Sequence, residues 1–360
     1  MKKTGSGALA AVKKYFALHY GIILGLVALC VITSMITPNF LKVANFVNIL
    51  RQISVSGVLA ISLALVLLTG GIDLSVGSTC AACGCVFAVA CTSWGMNIWA
   101  GMAVTLAVAF VIGIFNGALV AYTAVPPFII TLSTQMAVRG LAYMFTGGMP
   151  IMVGGQIAEK FVKIGAGSWK FLNGEGKQVF ELPYAVVIMM IVYFLVWVML
   201  AQTRYGRHIY AIGGNTSAAE HSGINVRRDL IVVYLLSSLL AGLAGILLAS
   251  RISSGQPTAA NGYETSAIAA AVVGGVSFTG GTGTIGGTFI GALIMGVINN
   301  VMNLLKLDYY YQYIAQGAVI ITAVLVDTYV KKSNKRARRA PRGKTPAPSS
   351  QAAESAAKKT

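Results

Sequence analysis

The chain has 360 residues, of which 56% are hydrophobic and only 10% are charged. A water-soluble domain normally carries about 25% charged residues, so this composition excludes an ordinary soluble protein and favours a membrane protein. The net charge of +17 would suit a nucleic-acid-binding protein, but ten basic residues lie in the stretch 331–360, which lacks the apolar residues of a folded domain. We therefore expect no nucleic acid partner, and we expect this tail to be disordered and attracted to anionic lipid.

Apolar stretches close to the roughly 20 residues that span a bilayer recur along the chain. They predict about ten membrane-spanning helices, at 15–36, 53–69, 76–93, 98–122, 128–146, 182–201, 229–250, 265–280, 285–304 and 310–328. The first is too long for a signal-peptide core, so we expect it to be retained. The predicted fold is all-α and polytopic: a transmembrane domain at 15–328 between an N-terminus at 1–14 and the tail 329–360.

Basic residues indicate which side of the membrane each connection faces. The N-terminus 1–14, the loop 202–228 and the tail together hold 18 of the 27 Lys and Arg residues. Because positively charged segments stay in the cytoplasm, both termini and the loop 202–228 are predicted to be cytoplasmic. The long loop 147–181 is then predicted to lie outside the cell.

The segment 70–78, which reads GGIDLSVGS, separates the second predicted span from the third. A carboxylate within the membrane costs on the order of 2.5–3.5 kcal/mol, so the position of Asp73 needs a reason. The glycines indicate that the backbone leaves the helix, which lipid tolerates only where protein or water satisfies its polar groups. Because the span count puts the segment at the cytoplasmic end, we predict a gate turn, where Asp73 meets water or caps a helix beginning near Ser75. The candidate gate residues are Gly70, Gly71, Asp73, Ser75 and Gly77.

Two segments in different predicted spans resemble each other. GIFNGALV at 113–120 and GTFIGALI at 287–294 fall in the fourth and ninth spans, which cross the membrane in opposite directions. Matching segments of opposite direction are typical of an inverted repeat with a transport path between its halves. The same residues would also suit a close-packing face, which membrane helices commonly build from small residues. The sequence leaves both interpretations open.

The cytoplasmic loop 202–228 is predicted to contain a short helix. Asn215 suits its N-cap, the residues 216–222 tolerate a helix, and Gly223 suits the left-handed position that ends one. A short exposed helix between glycines is a plausible docking element for a soluble partner. The candidate contact residues are Gly213, Gly214, Asn215, Ser217, Ala218, Ala219, Glu220 and Gly223.

The sequence contains no recognisable catalytic or metal-binding constellation. Four cysteines fall in the apolar span 76–93 without a histidine near them, so we interpret them as packing residues. The GKT sequence at 343–345 has Arg338 where a phosphate-binding loop needs a glycine, so the chain itself is not predicted to hydrolyse nucleotide. These observations favour transport over catalysis by a membrane-embedded enzyme.

Five segments together resemble one family of transporters. They are TGGIDLSVGS at 69–78, YAIGGNTSAAEHSGINV at 210–226, SSGQPTAANGYE at 253–264, AIAAAVVGG at 267–275 and LDYYYQ at 307–312. Over about residues 15–328 the chain resembles the permease subunits of bacterial monosaccharide ABC importers of the ribose type. The resemblance implies a homodimeric ten-helix pore in the bacterial inner membrane, a sugar-binding protein outside and a cytoplasmic ATPase that holds ATP and Mg. It also implies that this chain binds no cofactor and that the helix at 215–223 is the coupling helix, which fits a groove on the ATPase.

A neutral sugar would need exchangeable amide and hydroxyl partners along its path. The candidates are Asn116, Thr134, Gln135, Asn299, Asn300 and Asn303, although hydrogen bonding between helices would explain each of them equally well. Arg139 is expected to pair with a carboxylate or with helix-end carbonyls. The alternative function is a self-sufficient, ion-coupled secondary transporter of a small polar solute that uses Asp73. The loop with its paired glycines favours the importer, because a solitary transporter does not need a docking helix.

Overall fold

The structure is a computed structural model that describes residues 4–172, 178–308, 310–322 and 324–325, with side chains from Tyr20 onward. The helices are α1 (Thr4–Ile36), α2 (Val43–Leu68), α3 (Val76–Thr92), α4 (Ile98–Tyr122), α5 (Pro127–Thr146), α6 (Ala158–Ala166), α7 (Tyr184–Gln202), α8 (Arg204–Gly214), α9 (Thr216–His221), α10 (Val226–Ile252), α11 (Tyr263–Val273) and α12 (Ile285–Leu304). The strands are β1 (Ile151–Met152), β2 (Ser168–Leu172), β3 (Gln178–Pro183) and β4 (Ser254–Gly255), and the stretch 310–322 is helical. The predicted tail 329–360 lies outside the described residues.

Every predicted span overlaps a helix, but the helices differ in length. In the described ranges six helices, α2, α4, α5, α7, α10 and α12, are long and apolar enough to cross a membrane. Three apolar segments are shorter: α3, α11 and the part of α1 from Tyr20 to Ile36. The structure therefore supports a polytopic membrane protein and leaves the count of ten spans as a prediction.

The predicted span 265–280 is too long, because α11 ends at Val273. Gly274 closes the helix, and Gly275 follows in the left-handed conformation with a φ of 85°. At 1.5 Å per residue, a helix of 11 residues is about 16 Å long, roughly half of the hydrocarbon thickness. Residues 274–284 form the loop that connects α11 to α12 at one end of the bundle.

Helices α2 and α10 form the centre of the bundle. Every residue of α2 from Val58 to Leu68 is buried, as is expected of a helix that is hydrophobic all round. It packs against α7, α10, α11 and α12, while α10 packs against α3 and α4. Helices α4, α5 and α7 are largely exposed, and their apolar side chains are the surface that lipid or another protein copy would cover.

The two ends of the bundle are built differently. At one end, here called the junction end, α8 meets the turns that follow α2 and α11, and α9 follows α8. At the other, the hairpin end, β2 pairs with β3 in an antiparallel hairpin, and Glu181 of β3 forms an ion pair with Arg51 of α2 at 2.7 Å. A second short pairing joins β1 to β4. The loop 147–181 is thus partly β-structured, which the all-α prediction did not include.

The two similar segments 113–120 and 287–294 both serve as close-packing faces. A methyl group added at Gly113 or Gly117 of α4 would stand within 3 Å of the α10 backbone. Gly291 of α12 faces the α11 backbone in the same way, and Gly287 faces the backbone of Gly274, the residue that follows α11. This shared role is what the small-residue interpretation predicts, and the inverted repeat stays a prediction.

Candidate functional site

The predicted helix in the loop 202–228 is confirmed as α9. Its N-cap is Asn215, whose side-chain oxygen accepts a hydrogen bond from the amide of Ala218 at 3.0 Å. Gly223 follows its end with a φ of 83°, the left-handed conformation that glycine adopts without strain. Helix α8 precedes it and is capped by Thr203, whose hydroxyl oxygen accepts from the amide of Gly206. The loop is thus two short helices joined at Asn215.

The two faces of α9 have different environments. Ser217, Ala218 and Glu220 are exposed, whereas Ala219 is buried against Ile212 and Val226. Ala219, which the sequence grouped with the docking residues, therefore attaches α9 to the bundle. The exposed face is the part of this helix that another protein can reach.

Glycines at the junction end bring three backbone segments into direct contact. Gly213 of α8 lies against the carbonyl of Leu68 and the amide of Gly281, so that any side chain at Gly213 would collide with backbone. Gly281 in turn donates its amide to the Leu68 carbonyl at 2.9 Å. Gly280 faces Gly70 and Gly213, and a methyl group there would stand 2.7 Å from the Gly70 nitrogen. We call the contact among these five residues the glycine junction. Since backbone atoms cannot move aside as side chains do, α8 is fixed directly to the end of α2 and to the loop between α11 and α12.

Gly214 does not share this constraint. An added methyl group at Gly214 would meet no atom of the described chain within 4 Å, and Gly214 is exposed. Of the adjacent pair Gly213 and Gly214, it is therefore Gly213 that must be glycine for steric reasons.

Each glycine of the predicted gate segment has a different structural role. Gly70 adopts a φ of 82°, which ends α2 in the left-handed conformation. A methyl group at Gly71 would stand 2.5 Å from the hydroxyl of Tyr234, and one at Gly77 would collide with the carboxylate of Glu264. The segment is therefore packed on both sides within the protein.

Asp73 lies at the centre of a buried hydrogen-bond network. It is 1% exposed, so the expectation that it meets water is wrong for this conformation. One carboxylate oxygen accepts from the amide of Ser75 at 3.0 Å and from its hydroxyl at 2.6 Å, immediately before α3 begins. The other accepts from the Ser237 hydroxyl of α10 at 2.8 Å, and Ser237 also contacts Ser62 of α2. A buried carboxylate satisfied in this way stabilises the turn and joins three helices.

The network continues across the bundle through Asn116. The Asn116 amide donates to the Ser75 hydroxyl at 2.9 Å, and its oxygen accepts from Thr134 of α5 at 2.7 Å. Thr131, one turn earlier on α5, binds the backbone of Ile72 and Leu74. Asn116 and Thr134 are buried, so hydrogen bonding between helices explains both in this conformation.

Two other path candidates are also paired inside the protein. Asn300 and Asn45 exchange two amide hydrogen bonds of 2.9 and 3.0 Å, and both residues are buried. Gln135 donates to the carboxylate of Glu264 at 3.2 Å. Arg139 donates to two loop carbonyls, those of Pro257 and Ala259, at 2.7 Å each, and not to the carboxylate or helix-end carbonyls that were expected.

Asn299 and Asn303 line a cavity of about 250 Å³ at the hairpin end, between α2, α11, α12 and the helical stretch 310–322. Four further amides line it, from Gln52, Asn261, Gln312 and Gln316, together with the hydroxyl groups of Ser56, Tyr263, Ser266 and Tyr313. Sequence reasoning missed these residues, because each is a single polar residue in or beside an apolar helix. The sequence signal that could have indicated the cavity was the spacing of Gly296, Asn299 and Asn303, which places these residues on one face of α12.

The structure offers no candidate centre for catalysis or metal binding within the residues that it describes. No three side chains of the His, Cys, Asp or Glu type come together there in a way that could hold a metal ion. The cysteines of α3 are buried and unbonded to one another. The arrangement instead offers a cavity at the hairpin end, a buried carboxylate, and an exposed helix, α9, that follows the glycine junction.

Comparison with known proteins identifies the family. Residues 45–324 match the family described as "Branched-chain amino acid transport system / permease component". The ribose import permease of Escherichia coli K12 is 45% identical over 85% of this chain and 92% of its own length. The ribose import permease of Haemophilus influenzae is 42% identical (88% and 94%), and the L-arabinose transport permease of Escherichia coli K12 is 34% identical (88% and 92%). No solved structure gives a significant match. The chain therefore belongs to this family of transport-system permease components.

Proposed function

We propose that this chain is the membrane-spanning permease of an ATP-binding-cassette importer that takes up ribose or a similar monosaccharide. The support is the identity of 45% to a ribose import permease over 92% of that protein's length. The proposed location is the bacterial cytoplasmic membrane, with multiple spans and both termini inside. Its partners are a second copy of the chain, a cytoplasmic ATPase that binds ATP and Mg, and an external sugar-binding protein.

The exposed face of α9 is the proposed contact with the ATPase. Ser217, Ala218 and Glu220 point away from the bundle, while α8 is held to the turns after α2 and α11 by Gly213. A movement of the ATPase would thus reach the segment 70–78 through backbone contacts. This segment is the proposed gate, with Asp73 as the residue that holds it closed. Such a two-state element, biased by a partner that binds nucleotide, is what pumping requires.

The ion-coupled secondary transporter is not favoured. Both Asp73 oxygens accept hydrogen bonds from serine groups, and the carboxylate is buried within the bundle instead of facing a path. The similar proteins are described as parts of ribose and L-arabinose transport systems. Asp73 therefore serves better as a structural lock than as a site for a moving ion.

Reconstitution in vesicles tests the function. We expect uptake of D-ribose only when the ATPase, ATP, Mg and the sugar-binding protein are all present. Uptake that survives omission of the ATPase under a proton gradient would contradict the importer. Omission of the binding protein alone is the matched control, because it should remove uptake while leaving the ATPase assembled with the permease.

A further inference from the structure

We propose that the amide-lined cavity at the hairpin end is a binding site for a neutral polyol, a monosaccharide that pauses there on its way through the permease. The cavity has room for roughly eight water molecules at about 30 Å³ each, which is the scale of one small solute. This inference rests on the proposed function, because it identifies where that function's substrate meets this chain.

The lining chemistry matches hydroxyl groups. An amide side chain offers both a donor and an acceptor, and six amides line the cavity. A sugar hydroxyl is likewise both a donor and an acceptor, so each can pair without leaving a polar group unsatisfied. The faces of Tyr263 and Tyr313 supply apolar surface beside these groups.

The charges of the cavity disfavour an amino acid. Arg251 is the one charged residue among the described residues that line it, and its guanidinium donates to the Arg51 carbonyl at 3.2 Å. A branched-chain amino acid needs partners for an ammonium and a carboxylate together with an apolar slot. No carboxylate lines the described walls, and Ile53 is their sole large aliphatic side chain. An uncharged polyol therefore fits better than the solute class in the family's description.

The hydrogen bonds inside the cavity can be exchanged for bonds to a solute. Gln316 donates to Asn299 at 3.4 Å, which is a long bond, and accepts from Ser266 at 2.9 Å. Gln312 donates to Asn303 at 2.9 Å. Swapping such bonds for sugar contacts changes the free energy little, because each hydrogen bond lost is replaced. Weak binding of this kind suits a transport path, where a solute must both enter and leave.

Two glycines set the dimensions of the cavity. Gly262 has a φ of 75° and starts α11, and a methyl group there would stand 3.0 Å from the Tyr313 ring. A methyl group at Gly296 of α12 would collide with Ile53 of α2. Glycine at these two positions thus leaves room for the Tyr313 and Ile53 side chains that line the cavity.

Labelling of one cavity residue tests binding directly. Ser56 is half-buried on the α2 wall, and the Ser56→Cys variant of the full-length permease can be reacted with a small methanethiosulfonate. We expect D-ribose at twice its dissociation constant to slow labelling about threefold, and L-leucine to have no effect. The unsubstituted chain, with its own cysteines, measures the background. Equal protection by both solutes, or protection by neither, overturns the proposal.

Transport by the complete importer provides the second test. The Asn299→Leu/Gln316→Leu double variant should lower ribose uptake about tenfold or more, which corresponds to the loss of a few hydrogen bonds. ATP hydrolysis stimulated by the loaded binding protein should stay close to that of the unsubstituted importer. Asn39→Leu, an exposed amide outside the cavity, is the matched control and should change neither value. Unchanged uptake by the double variant contradicts the proposal.

The two tests separate the site from the function. Ribose protection of the Ser56→Cys variant, combined with an absence of ATP-driven uptake by the unsubstituted importer, would contradict the importer and support the cavity. ATP-driven uptake without protection would support the importer and overturn the cavity.

Discussion

The junction end and the hairpin end of this permease solve opposite problems. At the junction end, backbone meets backbone, and a single methyl group at Gly213 has no space. At the hairpin end, side chains of α2, α11, α12 and the stretch 310–322 surround about 250 Å³. We propose that the first end transmits a displacement and that the second receives a solute.

The difference follows from how each kind of contact responds to change. Closely packed backbone cannot relax locally, so a movement of α8 must move the end of α2 and the loop 274–284 as well. Amide side chains around a cavity can change rotamer and partner at small energetic expense. Substitutions at the junction end should therefore affect coupling or folding, whereas substitutions in the cavity should affect only the binding and uptake of the solute.

The largest effect is expected at the glycine junction. Gly213→Val places a side chain against the Leu68 carbonyl and the Gly281 amide, and overpacking against backbone should cost more than about 3 kcal/mol. We expect loss of ATP-driven uptake and a lower thermal unfolding temperature in detergent. Gly214→Ala is the control for stability, because its methyl group meets open space. Equal unfolding temperatures for the two variants would contradict a rigid junction.

The next effect separates the two faces of α9. Ala218→Trp enlarges an exposed residue, so the permease should fold normally while uptake per ATP hydrolysed falls about tenfold, the equivalent of roughly 1.4 kcal/mol of lost contact. Ala219→Trp enlarges a residue buried against Ile212 and Val226, so it should instead lower the unfolding temperature. Normal coupling in Ala218→Trp would contradict the docking role of α9.

The sequence predicted the local features of the junction end well. The cap at Asn215, the short helix after it and the left-handed Gly223 depend on neighbouring residues, so local rules suffice. The contacts of Gly213 with residues 68 and 281 could not be predicted in this way. They join segments far apart in the chain, and only the packed bundle brings them together.

For the asparagines inside the predicted spans, by contrast, local rules do not suffice. An intramembrane asparagine indicates either a path or a bond between helices, and sequence cannot choose because both use the same amide. The structure assigns Asn116 and Asn300 to buried bonds and puts Asn299 and Asn303 in a cavity.

The length of α11 was also mispredicted, since the apolar composition continues past Val273 while two glycines end the helix.

A smaller effect is expected from Asp73→Asn. The amide keeps one acceptor but places an NH₂ group among donors from Ser75 and Ser237, so about 1–3 kcal/mol of hydrogen bonding is lost. If Asp73 holds the gate closed, uptake should persist while ATP hydrolysis without the binding protein rises several-fold. A changed preference among sugars would instead argue that Asp73 touches the solute. ATPase assays with and without the loaded binding protein decide between these outcomes.

An effect of similar size is expected from one of two neighbouring asparagines in α12. Asn300 and Asn299 are adjacent, yet Asn300 pairs with Asn45 and Asn299 lines the cavity. Asn300→Leu should destabilise the permease by about 1–3 kcal/mol, because the buried Asn45 side chain loses both bonds to Asn300 and keeps its bond to the Phe40 carbonyl. The Asn45→Leu/Asn300→Leu double variant should be closer to the unsubstituted chain, since neither amide is then left without the other and the Phe40 carbonyl is the one group of this contact that loses its partner. Both should take up ribose at a rate proportional to the folded protein, whereas Asn299→Leu should take up less sugar at an unchanged unfolding temperature. A loss of uptake by the stable double variant would place Asn300 on the solute path and remove the distinction between the cavity wall and the pairing that supports it.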